Sequence, residues 1–173
     1  MGLLRLLARQ LLHGPHTLPR PDADAEGLAQ LAEAVGRETR GKLGRALSIR
    51  EVDAGSCNGC ELEIHAVNGP VYDLERYGIK FVASPRHADV LLVTGPVTAN
   101  MAVALQRTYN ATAAPKWVVA MGDCAINGGC FAGSYAVLDG ARAVVPVDLD
   151  IPGCPPTPAK LLAGLLALLE TVS

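Results

Sequence analysis

Cys57 and Cys60 form a C-x2-C pair around Asn58 and Gly59, Cys124 follows Gly122-Asp123, and Cys154 sits within Pro152-Gly153-Cys154-Pro155-Pro156. Glycine and proline fix such loops and keep them near the surface, so thiolates carried there can face a common centre with no helix or strand in the way. Three chemistries suit this set. Zinc takes four thiolates, although structural zinc usually uses two paired knuckles and the chain has one pair. A thiol-disulfide oxidoreductase needs a C-x-x-C opening a helix whose N-terminus lowers a thiol pKa, which leaves Cys124 and Cys154 without a task. A 4Fe-4S cluster needs four thiolates and nearby backbone amides, which Asn58, Gly59, Gly128 and Gly129 supply. Cys130 remains, and reads first as a buried small residue and second as a variant ligand.

Charged groups close to these cysteines have plain and chemical readings. Glu61 and Glu63 follow the C-x2-C at a helix start, where negative charge is favourable. Glu61 is also the candidate for a carboxylate whose proton affinity follows the charge of a bound group. Arg86 reads as an ion-pair partner of Asp89 or, alternatively, as an interface residue. His65 and His87 are expected to be structural or solvated.

To bring the cysteines together the chain must alternate strand and helix. Short β-branched runs predict strands over Ser48 to Asp53, Ile79 to Ala83, Val90 to Thr94, Trp117 to Met121 and Ala143 to Val147. Helical stretches lie between them at 61–76, 97–112, 131–139 and 158–171. That alternation predicts an α/β fold with a parallel sheet flanked by helices. Right-handed crossovers put the strand-to-helix turns at one edge, where open α/β sheets bind ligands, and the cysteine loops fall at that edge. Upstream, residues 1–14 set Leu3, Leu4, Leu7 and Leu11 on one helical face with Arg5 and Arg9 opposite, an amphipathic helix suited to a membrane surface or a partner. Asp22 to Lys42 reads as a loosely held helix and linker. The expected division is therefore 1–44 for the amphipathic helix and linker and 45–173 for the sheet domain.

The chain has 173 residues, half of them hydrophobic and 4% aromatic, with a formal charge of -2. This is enough chain for a substantial core, and the balance of charge argues against binding driven by nucleic-acid phosphates. No run of about 20 apolar residues is present, so no transmembrane helix is expected. An odd cysteine count without an export signal points to thiolate or metal chemistry on the cytoplasmic side rather than to a disulfide framework. The helix from Pro158 is apolar around much of its circumference and needs cover from the sheet or a partner.

Four blocks in order carry a family resemblance: Gly55-Ser56-Cys57-Asn58-Gly59-Cys60-Glu61-Leu62-Glu63, Ser84-Pro85-Arg86-His87-Ala88-Asp89, Gly122-Asp123-Cys124 with Gly128-Gly129, and Ile151-Pro152-Gly153-Cys154-Pro155-Pro156-Thr157-Pro158. Together they resemble the small subunit of membrane-bound, energy-converting nickel-iron hydrogenases of the formate hydrogenlyase and hydrogenase-4 types. The 20 kDa, B-type subunit of complex I belongs to the same superfamily. The resemblance implies a flavodoxin-like sheet and one proximal 4Fe-4S cluster on Cys57, Cys60, Cys124 and Cys154. It implies electron transfer between a nickel-iron large subunit and ferredoxin-like iron-sulfur subunits, with membrane subunits beneath and a peripheral place on the cytoplasmic side of the inner membrane. Complex I relatives carry adjacent cysteines where this chain has C-x-x-C, so the hydrogenase form is preferred to an NADH-quinone oxidoreductase passing electrons to quinone.

Overall fold

The computed structural model describes residues 25–171. The amphipathic helix expected over the first residues lies outside them. Five strands form the sheet: β1 (Leu47–Asp53), β2 (Ile79–Phe81), β3 (Val90–Thr94), β4 (Trp117–Met121) and β5 (Leu149–Ile151). All neighbouring pairs are parallel and the order is β2-β1-β3-β4-β5, the flavodoxin-like order expected. Register runs through Leu47 opposite Ile79, Ile49 opposite Val90, Val90 opposite Trp117 and Val119 opposite Leu149.

Helices cover both faces, so the central strand β3, Val-Leu-Leu-Val-Thr, is buried at every position and apolar in all but Thr94. Side chains alternate across it. Val90 and Leu92 join one core with helices α1 (Ala25–Leu43), α2 (Gly59–Asn68) and α5 (Pro158–Thr171). Leu91 and Val93 join the other, with Leu105 of α3 (Ala99–Ala111) and Ala125 of α4 (Asp123–Asn127). Removing a side chain the size of Leu91 or Leu92 from water contributes about 2 kcal/mol.

Several expectations are corrected. The stretch read as a loosely held helix and linker is helical from Ala25 to Leu43, and this helix, α1, is firmly held: it buries Ala32 and Val35 completely or nearly so and packs on α5. That contact and the sheet cover α5, whose Leu161, Leu162, Leu165, Leu168 and Leu169 are buried within this chain. The fifth strand is not Ala143 to Val147. Ala141–Ala143 forms a 3-10 turn, Val145 and Val147 bury themselves from irregular backbone, and pairing with β4 starts only at Leu149. No helix runs over 131–139, because glycines with positive φ at Gly128, Gly129 and Gly133 break the backbone there. The helix expected over 61–76 ends at Asn68 before Gly69-Pro70, and a separate 3-10 turn, Leu74–Tyr77, follows. No helix among the described residues is long and apolar enough to cross a membrane.

Candidate metal centre

The loop after β1 is built by local hydrogen bonds. Asp53 Oδ1 accepts the N–H groups of Gly55 and Ser56, each at 2.8 Å, and Ser56 Oγ accepts that of Asn58 at 3.0 Å. Asn58 then takes φ 70°, a left-handed turn that starts α2 at Gly59. Cys57 therefore stands just outside the helix and Cys60 in its first turn. At the end of β4, Gly122 with φ 89° turns the chain into α4, which places Cys124 in the first turn of that short helix. The loop after β5 carries Cys154 and is tied back by the Gly122 N–H to Ile151 O at 2.8 Å. All three cysteine loops thus leave the carboxyl ends of β1, β4 and β5, on one rim of the sheet.

Close approaches of backbone to sulfur mark this rim. A Cβ on Gly122 would stand 2.7 Å from Cys60 Sγ and 3.4 Å from Gly153 O; a Cβ on Gly129 would stand 2.8 Å from Cys124 Sγ. On Gly59 it would meet Cys57 Sγ at 3.6 Å and the Pro155 ring at 3.8 Å. At Gly122 and Gly129 only hydrogen leaves the sulfurs room, whereas a Cβ on Gly59 would make ordinary contact. Electrostatics tells the same story of nearness. Burial pushes the Cys60 thiol up to about 12, and Glu61, Cys124, Cys57 and Cys154 each add to the rise. Burial pushes Cys124 up to about 11, with Cys130 and Cys154 contributing. A disulfide oxidoreductase needs a thiol shifted the other way. Among the described residues, no group of three or more His, Cys, Asp or Glu side chains is drawn tightly enough around one point to hold a single metal ion.

Glu61 is buried, 7% exposed, and neither of its oxygens has a hydrogen-bond partner. Glu63 is half-buried on the same helix. Glu51, in the middle of β1, was not singled out in the sequence, yet burial and then the Glu61 charge push its carboxyl up. A carboxylate in the middle of a strand that the sheet half-buries is the signal that marks it. Asp89 does not pair with Arg86. Arg45 reaches it with both guanidinium nitrogens, Nη1 at 2.8 Å and Nη2 at 2.5 Å, and the Ser48 N–H donates to it at 3.0 Å. Arg86, His65 and His87 are exposed. Cys130 is exposed rather than buried, because it rides a 3-10 turn, Gly129–Phe131, and not a helix.

The strand order, with helices on both faces and the cysteine loops on the carboxyl rim, defines an open α/β domain of flavodoxin-like topology. The chain belongs to the family described as NADH ubiquinone oxidoreductase, 20 Kd subunit, which matches residues 57–168, and its relatives are oxidoreductase subunits of hydrogenase and complex I-type assemblies. It is 48% identical over 132 residues to formate hydrogenlyase subunit 7 of Escherichia coli strain K12, covering 75% of this chain and 52% of that one. It is 44% identical over 131 residues to a probable membrane-bound hydrogenase subunit of Pyrococcus furiosus, covering 76% and 78%. A chain in the solved structure of the membrane-bound sulfane sulfur reductase, an archaeal respiratory membrane complex, superposes with a TM-score of 0.65 at 33% identity, covering 80% of this chain and 74% of that one. The chain spans about half the length of the Escherichia coli relative.

Proposed function

We propose that this chain is the electron-transfer subunit of a multi-subunit, membrane-associated nickel-iron hydrogenase, with Cys57, Cys60, Cys124 and Cys154 holding one 4Fe-4S cluster. The observation that carries the reading is the glycine cradle: backbone without side chains lies against the sulfurs of Cys57, Cys60 and Cys124, while Gly153 precedes Cys154 in the same rim. The donor set fits the group in charge as well. Thiols as high as Cys60 keep their protons unless a strong cation replaces them, and iron does so. When bound, such a cluster supplies reversible one-electron transfer at a potential set by charge, amide hydrogen bonds and solvent access.

This chain's own residues fix the thiolates on rigid loops, exclude water from Cys124 and set amides close to sulfur. Glu61, buried and unpartnered next to Cys60, is the residue placed to accept a proton as local negative charge rises. Catalysis belongs to a nickel-iron large subunit, and electrons pass on to ferredoxin-like subunits. Exposed Leu62, Phe131, Tyr135 and Leu138 are apolar surface suited to such partners. The assembly lies on the cytoplasmic side of the membrane, on membrane subunits. The cluster domain takes in α1 as well as the sheet expected over 45–173, since α1 packs into its core, and the residues ahead of α1 lead to the membrane or a partner.

An anaerobically purified chain is expected to be brown with broad visible absorbance, and Cys154→Ala to lose the colour. A colourless wild-type protein carrying one zinc would overturn the cluster. The family description gives a second reading, the B-type subunit of an NADH-quinone oxidoreductase. The partner separates the two: nickel in the purified complex, with a large subunit carrying two C-x-x-C pairs, supports hydrogenase, and quinone-dependent NADH oxidation without nickel supports the other.

A further inference from the structure

The loop after β3, Gly95-Pro96-Val97-Thr98, carries no cysteine, yet it is bonded on both sides to segments that do or that pack on them. On one side lies the turn after β1. The Thr98 N–H donates to Ala54 O at 2.8 Å, and Gly55 sits so close under Thr98 that a Cβ on it would stand 2.3 Å from Thr98 Cγ2 and 3.0 Å from its Oγ1. On the other side, Val97 O accepts the Leu138 N–H at 2.9 Å and Pro96 O accepts the Gly140 N–H at 3.1 Å. Gly140 in turn lies against α4, the helix of Cys124: a Cβ there would stand 2.6 Å from Ile126 O. Val97 holds φ 55° while fully buried, an outlier for a β-branched residue that persists only where the surroundings fix it. Thr98 occupies the N-cap of α3, where threonine ordinarily accepts from the helix amides, yet its side chain makes no such bond. What it contributes there is shape, since its methyl covers Gly55.

We propose that Thr98 is a positioning residue for the electron-transfer site: its methyl braces Gly55 and so keeps closed the turn over 53–58 that carries Cys57. The inference rests on the cluster reading above. The turn's other restraints are the bonds from the Gly55 and Ser56 N–H groups to Asp53 and from the Asn58 N–H to Ser56, all of them exposed to competing water. Without the methyl the turn opens more often and water reaches the group held at Cys57. Solvent favours the reduced state, which carries one more negative charge, so the reduction potential rises.

Thr98→Val, Thr98→Ser and Thr98→Ala separate shape from hydroxyl. In the full chain without iron, hydrogen exchange at the Gly55 and Ser56 amides is expected to be several-fold faster in Thr98→Ser and Thr98→Ala and unchanged in Thr98→Val. After anaerobic loading with iron and sulfide, Thr98→Ser and Thr98→Ala are expected to titrate at a higher midpoint than wild type by electron paramagnetic resonance, and Thr98→Val to match wild type. Wild-type exchange in Thr98→Ala overturns the proposal. Faster exchange with an unmoved midpoint also overturns it, because Thr98 would then be structural only. So does a Thr98→Val chain that behaves like Thr98→Ala, since the hydroxyl would then be the acting group. A wild-type chain that takes up no cluster defeats the functional reading first and this inference with it, so the iron content of wild type tells the two failures apart.

Discussion

Asp123 and Gly153 are joined by a reciprocal pair of hydrogen bonds: the Asp123 N–H donates to Gly153 O at 2.9 Å and the Gly153 N–H donates to Asp123 Oδ1 at 2.8 Å. One residue precedes Cys124 and the other precedes Cys154, so the pair locks two cysteine loops to each other. Asp123→Ala is expected to cost about 1–2 kcal/mol in stability and to shorten the time for which a loaded chain keeps its iron. Asp123→Asn, whose amide oxygen accepts the same bond, should keep most of both. Chemical denaturation and timed iron release against a chelator check this, and an alanine variant that holds iron as long as wild type contradicts the clamp.

Gly129→Ala tests the cradle directly. The substituted position has φ 51° and its Cβ would stand 2.8 Å from Cys124 Sγ, so the expected cost is roughly 1–3 kcal/mol with a low iron content. Gly41→Ala, where a Cβ meets nothing within 4 Å, serves as the control and should be neutral or slightly stabilising. Equal iron content in the two variants would show that the sulfur has room to move aside.

Thiol chemistry of the metal-free chain follows from the shifted groups. With Cys60 pushed up to about 12, only on the order of one thiol in ten thousand is ionised at a pH of about 8. Iodoacetamide should label exposed Cys57 and Cys154 well before Cys60 and Cys124, and the slow pair should speed up tenfold for each unit of added pH. Mass spectrometry of quenched samples resolves the sites. Fast labelling of Cys60 at neutral pH would mean that the rim is open to solvent.

Glu51 gives stability a pH dependence. Burial, and next the Glu61 charge, raise its carboxyl above the ordinary value, so the folded chain binds that proton more tightly than the unfolded chain does. The contribution is therefore fully present below the unfolded value of about 4.3 and is lost as pH climbs through the folded value. Glu51→Gln removes the decline. Thermal melts of wild type and variant should coincide in acid and separate above it, with the variant more stable. Parallel curves across the whole range would assign the slope to another group.

Strands β3 and β4 were legible because each is a compact apolar run that the sheet buries, β1 showed through Ile49 and Val52, and the resemblance supplied their flavodoxin-like order. The fifth was hidden by its acids. Asp148 accepts the Val118 N–H on its Oδ2 at 2.7 Å, and Asp150 faces Arg142, so polar residues flank and interrupt the true strand. The apolar Val145 and Val147 beside it reach the core without strand pairing. Apolar periodicity reports burial, and only hydrogen-bond register reports a strand. The placement of Cys57, Cys60, Cys124 and Cys154 on one rim was legible from the alternation of strand and helix and from the turn residues around them. Asp123 as clamp and Glu51 as buried acid were not, since neither carries a spacing and each matters only through a neighbour that folding brings close. Asp89 was assigned the wrong partner for the same reason: Arg86 is three residues away, whereas Arg45, 44 residues away, is the one that reaches it.

The strand order interposes β3 between the two strands that deliver Cys57, Cys60 and Cys124. Each step across a sheet spans about 4.8 Å, so β3 acts as a spacer that opens a notch roughly 10 Å wide, as two such steps require. The width of that notch belongs to the hydrogen-bond lattice of the sheet and not to the loops. Loop sequences can therefore drift, lengthen or acquire an extra thiol while the berth between them keeps its size.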